Sequence, residues 1–152
     1  MAVTKNNPNT ILLSGPHVLV DDLRCGVAAT PGMLAEMMDS SGENKWRPNA
    51  SATEIPTLAV FLNSPESNKG IDDAYAINDL APVAFLCPGC TFWGILVSGQ
   101  NVSNAELLQS NGDGKLKSAT ATTADAGLAR FQSLTNAGLV SADTRIRVQV
   151  IC

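Results

Sequence analysis

Few side chains in this chain could do chemistry. Cys87-Pro-Gly-Cys90 has the Cys-x-x-Cys spacing that can hold one side of a zinc site or run thiol exchange. A zinc site needs four ligands, and the remaining candidates, His17, Cys25 and Cys152, form no second close pair. Redox Cys-x-x-Cys pairs open a helix in a βαβ setting that the sequence lacks. The motif therefore reads first as turn cysteines, with Cys87 and Cys90 kept as metal or disulfide candidates. His17 is the single histidine, so any Cys-His or Ser-His nucleophile would have to use it. Its neighbours Pro16, Val18 and Leu19 suit a structural or surface role instead. Asp72-Asp73, with Asp79 following, could offer carboxylate oxygens to a hard cation, but adjacent aspartates in a polar loop are ordinarily solvated. Asp113 lies between two glycines, as a tight turn demands, and lacks the further oxygen ligands of an EF-hand. Asn49-Ala-Ser51 and Asn101-Val-Ser103 match the glycosylation pattern, which matters only after export. The expectation is no catalytic residue, no cofactor and no enzyme.

Composition narrows the classes further. The 152 residues carry ten Lys+Arg against fourteen Asp+Glu, a formal net charge of -4. With 45% hydrophobic, 16% charged and 5% aromatic residues, the chain fits one domain with an ordinary core and neither a disordered nor a membrane-spanning protein. Lys and Arg never cluster, so the concentrated positive face that binds nucleic acid is not expected. Cys25, Cys87, Cys90 and Cys152 are too few and too unevenly spaced for a disulfide framework, and free thiols are expected. No apolar run follows a basic start, and Ile11-Leu12-Leu13 is too short for a signal peptide.

Strands must position these residues. Residues 1–10 are polar and read as an extended N-terminal arm that orders on a neighbour. The stretch 11–29 suits one or two short strands, and Met33–Met38, after the Pro31-Gly32 turn, favours a strand over a helix. Residues 42–56 read as a loop, and Thr57–Leu62 as a core strand closed by Asn63-Ser64-Pro65. After a polar connection over 64–79, Val83–Leu86 and Thr91–Val97 flank Cys87-Pro88-Gly89-Cys90, where Pro followed by Gly suits a type II turn and the pair reads as a hairpin. Asn111-Gly-Asp-Gly114 marks a second hairpin between Leu107–Ser110 and Lys115–Lys117. Ala119–Thr135 could be a strand or a helix N-capped by Asp125, and strands are favoured. In Thr144–Ile151, Ile146, Val148 and Val150 alternate with Arg145, Arg147 and Gln149, as in a half-buried strand. The fold class is mainly β: a small single-domain β-barrel or β-sandwich over residues 11–152, with at most one short helix.

The run of turns and strands resembles the head decoration, or capsid cement, proteins of tailed bacteriophages. The resemblance rests on Pro31-Gly32-Met33-Leu34-Ala35-Glu36, Gly70-Ile71-Asp72-Asp73-Ala74-Tyr75 with Asp79, Gly99-Gln100-Asn101-Val102, Glu106 through Leu116, and Asp143-Thr144-Arg145-Ile146-Arg147-Val148. It implies a β-tulip-like decoration domain, made in the host cytoplasm, that sits on the outer surface of the capsid. There it would clamp neighbouring subunits of the major capsid protein and resist the pressure of packaged DNA. It also implies self-association, as trimers more often than dimers, with neither nucleic acid nor membrane as partner. The apolar Cys87–Trp93 stretch departs from this resemblance.

Candidate contact residues follow from the residue types themselves. Asn6, Asn7, Pro8 and Asn9 belong to an arm that could lie along a partner sheet through main-chain hydrogen bonds. Trp46 beside Arg47, and Phe92 beside Trp93, are aromatics of the kind that anchor interfaces. A surface-displayed carbohydrate-binding or host-surface-binding module is the alternative, although only seven aromatics serve both core and groove. A biotinyl or lipoyl carrier is weaker still, since no Lys-Met pair stands at a hairpin tip. The third class is a metal or redox domain built on Cys87 and Cys90.

Overall fold

Residues 10–151 are described in a computed structural model. In chain order the strands are β1 (Leu12–Ser14), β2 (His17–Val20), β3 (Ala35–Ser40), β4 (Glu43–Pro48), β5 (Ala59–Phe61), β6 (Val83–Leu86) and β7 (Thr91–Leu96). They continue with β8 (Asn101–Val102), β9 (Leu107–Ser110), β10 (Leu116–Ser118), β11 (Phe131–Ser133), β12 (Gly138–Leu139) and β13 (Thr144–Val150). A short helix, α1 (Ala121–Asp125), and a 3-10 turn over Pro65–Ser67 complete the elements. The expected arm over 1–10, apart from Thr10, lies outside the described residues, as does Cys152.

Strict alternation in β13 sets the largest pairing. Ile146, Val148 and Val150 are buried on one face, while β13 runs antiparallel to β7 from Thr144↔Leu96 to Gln149↔Thr91. The order β7-β10-β9-β11-β13 then returns to β7, closing a five-stranded barrel, with β1 sharing the other edge of β7. The Asn111–Gly114 hairpin is present as expected, joining β9 to β10 in the register Ser110↔Leu116. Phe92 and Phe131 meet edge-on inside the barrel, their rings 6.0 Å apart, a geometry that suits aromatic quadrupoles.

A three-stranded sheet, in the order β2-β6-β5, lies between two cores. Val60, Ala84 and Leu86 join the barrel core. Their neighbours Ala59, Phe61 and Val83 face the second core, which contains Trp46, Tyr75, Cys25 and Ala35. Burial on both faces explains why Thr57–Leu62 is an unbroken apolar run rather than an alternating one. The far edge of β5 is covered, because Gly32 N–H donates to the Phe61 carbonyl and Phe61 N–H to that of Met33.

Several expectations are corrected. Residues 43–48, expected in a loop, form β4, which pairs with β3 from Ala35↔Pro48 to Ser40↔Glu43. The turn between them is Ser41-Gly42, with φ of 57° and 85°, the left-handed pair a tight hairpin needs. Polar Glu43, Asn44 and Lys45 on the exposed part of β4 hid its strand character. The Pro88-Gly89 turn is real, with Cys90 N–H donating to the Cys87 carbonyl at 3.0 Å and Gly89 at φ 92°. It does not make a hairpin: β6 pairs with β2 and β5, whereas β7 belongs to the barrel. A type II turn splays its flanking strands, so the chain passes here from one sheet to the other. Ala121–Asp125 is helical in α1, so the second part of the Ala-Thr-Ala-Thr-Thr run is not extended, and Asp125 is the last residue of the helix rather than the residue before its start. Gly127, at φ 73°, stops it in the usual left-handed manner.

Candidate interaction surface

The turn motifs of the sequence converge on Arg145. Its guanidinium donates to the Pro31 carbonyl at 2.8 Å and to the Ile71 carbonyl, and lies 3.2 Å from Asp72 Oδ1. The planar fork of donors fits this job, which one point charge could not do. Gly32 permits the approach: a Cβ there would stand 2.5 Å from Arg145 Nη1 and 2.7 Å from the Trp93 carbonyl oxygen, on a backbone with φ of 94°. Next to it, Lys115 Nζ lies 2.8 Å from Asp143 and 3.6 Å from Asp113. The hydrogen bond to Asp143 raises the Lys115 pKa. In return, Lys115 and then the Ser98 N–H hold the Asp143 carboxyl below its ordinary value. Asp72 and Asp113, weighed above as cation ligands, thus sit beside cations of the chain itself. Asp73 accepts from the Gly70 N–H at 2.8 Å and Asp79 from the Ala76 N–H at 2.8 Å.

Cys87 and Cys90 flank the Pro88-Gly89 turn and both reach the Pro16 carbonyl. Cys90 is buried, and its thiol donates to the Pro16 carbonyl at 2.6 Å; Cys87 N–H reaches the same oxygen at 3.3 Å. The Cys87 side chain is exposed. His17 Nδ1 lies 3.2 Å from the Gly15 carbonyl oxygen on the surface. Cys25 sits in the second core, where burial and then Asp79 push its pKa up to about 11, which keeps it a thiol at neutral pH. Among the described residues no three His, Cys, Asp or Glu side chains group as a metal site would require.

Two of the expected contact aromatics, Trp46 and Phe92, are buried in the cores. Trp46 is fully buried and meets Phe85 edge-on at 5.7 Å, so it serves the second core and offers no surface to a partner. Phe92 is likewise fully buried in the barrel, and Trp93 is partly buried against it. Arg47 bonds Glu36 at 2.7 Å. Asn6, Asn7, Pro8 and Asn9 lie outside the described residues.

Sequence reasoning missed the surface that is apolar. Strand β2 pairs only with β6, so its outer edge is open among the described residues. Along it Val18 is 62% and Leu19 51% exposed, with Leu13 and Leu80 exposed nearby in chain and groove. An open, apolar edge strand is a template for another chain. The signal was present in His17-Val-Leu-Val20, an apolar run too exposed for a core strand, but only the sheet order reveals that it lies at an edge. Next to it a groove of about 430 Å³ is lined by Leu19, Leu62, Leu80 and Pro82, with Asp21 and Glu66 at its sides.

Comparison with solved structures places this architecture. The chain is similar to the head fiber gp8.5 N base of bacteriophage phi29, with a TM-score of 0.58 over 89% of this chain and 94% of that one, at 10% sequence identity. The two share a fold. No family model matches the sequence, and no curated protein matches it.

Proposed function

We propose that this chain is a non-enzymatic structural protein of a phage virion that binds the outer surface of the capsid and cements neighbouring major capsid protein subunits. The observation that carries the reading is the fold shared, over nearly the whole of both chains, with the head fiber base of phi29. The open edge of β2, with Val18 and Leu19 exposed, supports it, since an edge strand can take up a partner by main-chain hydrogen bonds alone. In this reading the head surface covers β2, residues 1–10 strengthen the contact, and copies associate with one another as trimers at symmetry positions of the shell. The Arg145 latch keeps the barrel and the outer loops in one register while load is carried. Purified protein mixed with undecorated heads should co-sediment saturably and raise the temperature at which the heads open. Absence of binding under these conditions would refute the proposal.

A further inference from the structure

We propose that Cys87 and Cys90 form a thiol–disulfide redox site, closed across the Pro88-Gly89 turn by exchange with a low-molecular-weight disulfide. Head attachment makes no use of this pair. The turn already holds the two residues within bonding range. Cys90 N–H donates to the Cys87 carbonyl at 3.0 Å, and a four-residue turn keeps its end Cα atoms less than about 7 Å apart, where a disulfide needs roughly 4.4–6.8 Å. The two residues also converge on one atom. The Pro16 carbonyl oxygen accepts from the Cys90 thiol at 2.6 Å and from the Cys87 N–H at 3.3 Å. When the Cys90 sulfur turns towards Cys87, the Cys87 N–H stays as a donor to that oxygen, so the move leaves no carbonyl without a partner.

Burial sets the order of events. Cys87 is exposed and Cys90 is fully buried, with Gly15 packed on it so closely that a Cβ there would stand 2.7 Å from Cys90 Sγ. A bulky disulfide such as oxidised glutathione therefore meets Cys87 first. The exchange then runs as two displacements. The Cys87 thiolate attacks one sulfur of oxidised glutathione, one glutathione thiolate leaves, and a mixed disulfide forms on Cys87. The Cys90 thiolate attacks the Cys87 sulfur and expels the second glutathione thiolate. Cys87 and Cys90 together lose two electrons, the reagent's disulfide is reduced to two thiols, and the protons given up by the two cysteines end on them. Cys25 takes no part, because it is held in the second core. Cys87 directly follows β6 and Cys90 directly precedes β7, so the bond ties the chain at its crossing from the three-stranded sheet to the barrel, and reduction opens it again.

Exposure of the full, reduced chain to oxidised glutathione tests it, followed by acid quenching, labelling of the denatured protein with N-ethylmaleimide, and tryptic mass mapping. No Lys or Arg lies between Lys69 and Lys115, so residues 70–115 come off as one peptide that holds both cysteines. The expected parent peptide is unlabelled and lighter by two hydrogens. Cys90→Ser should stop at the glutathione adduct on Cys87, and Cys87→Ser should leave Cys90 unoxidised and fully labelled. Circular dichroism of each variant confirms the fold. A parent that keeps glutathione on Cys87 with Cys90 free, a bond from either residue to Cys25 or Cys152, a fully labelled parent peptide, or a glutathione adduct on Cys90 in Cys87→Ser would each overturn the proposal.

Discussion

Arg145 and Asn49 each hold together parts of the chain that are far apart in sequence. Arg145 bonds carbonyls 114 and 74 residues away. Replacing it with Ala leaves those acceptors without their donor, for an expected loss of about 1–3 kcal/mol. Arg145→Lys should recover only part, since it lacks the fork. Denaturant midpoints of the three proteins check this. Buried Asn49 joins Glu36, at 3.1 Å, to the Ser110 hydroxyl, while its N–H donates to the Leu34 carbonyl and its carbonyl accepts from Gly114. A glycan could not be fitted onto that side chain in the folded protein. The Lys115–Asp143 pair sets a pH dependence. With its pKa lowered, Asp143 contributes stability above the ordinary value of 3.8 and loses it as pH falls through the lowered one. Lys115, with its pKa raised, contributes below 10.5 and loses that as pH climbs through the raised value. Asp143→Asn should therefore cost about 0.2–1 kcal/mol at neutral pH, and the difference from the parent should vanish in strong acid, as thermal unfolding at both pH values would show.

Among the elements, the Pro88-Gly89 turn separates what local chemistry decides from what the fold decides. A Cβ at Gly89 would meet nothing within 4 Å, so its φ of 92° is the whole constraint. Gly89→Val should cost about 1–3 kcal/mol from backbone strain alone, and an unchanged melting temperature would contradict the turn assignment. Both the turn and the strands flanking it were legible in the sequence, as were the alternation of β13 and the apolar run of β5. Their partners were not, because a type II turn and a hairpin turn differ in twist and not in the Pro-Gly pair that signals them. Trp46 misled for a related reason. One apolar side chain among Asn44, Lys45 and Arg47 looks like a surface anchor until β4 is known to turn that one position inward. Arg145 and Asp72 were visible as parts of motifs, yet their meeting across 73 residues was not.

The described residues form a closed barrel and a sheet sandwiched between two cores, with the apolar outer edge of β2 unpaired among them. If that edge is the contact surface, Val18→Lys with Leu19→Lys should leave stability within about 0.5 kcal/mol, as exposed positions do, while abolishing capsid binding. Deletion of residues 1–10 should weaken binding with the fold intact, because Ile11, the first buried residue among those described, is retained. Attachment to the outside of a phage head is tested most directly by co-sedimentation of the protein with undecorated heads. Saturable binding that raises the heads' disruption temperature, lost in the Val18→Lys, Leu19→Lys protein, is the predicted result. Heads that sediment without the protein, or that bind the doubly substituted form equally well, would contradict it.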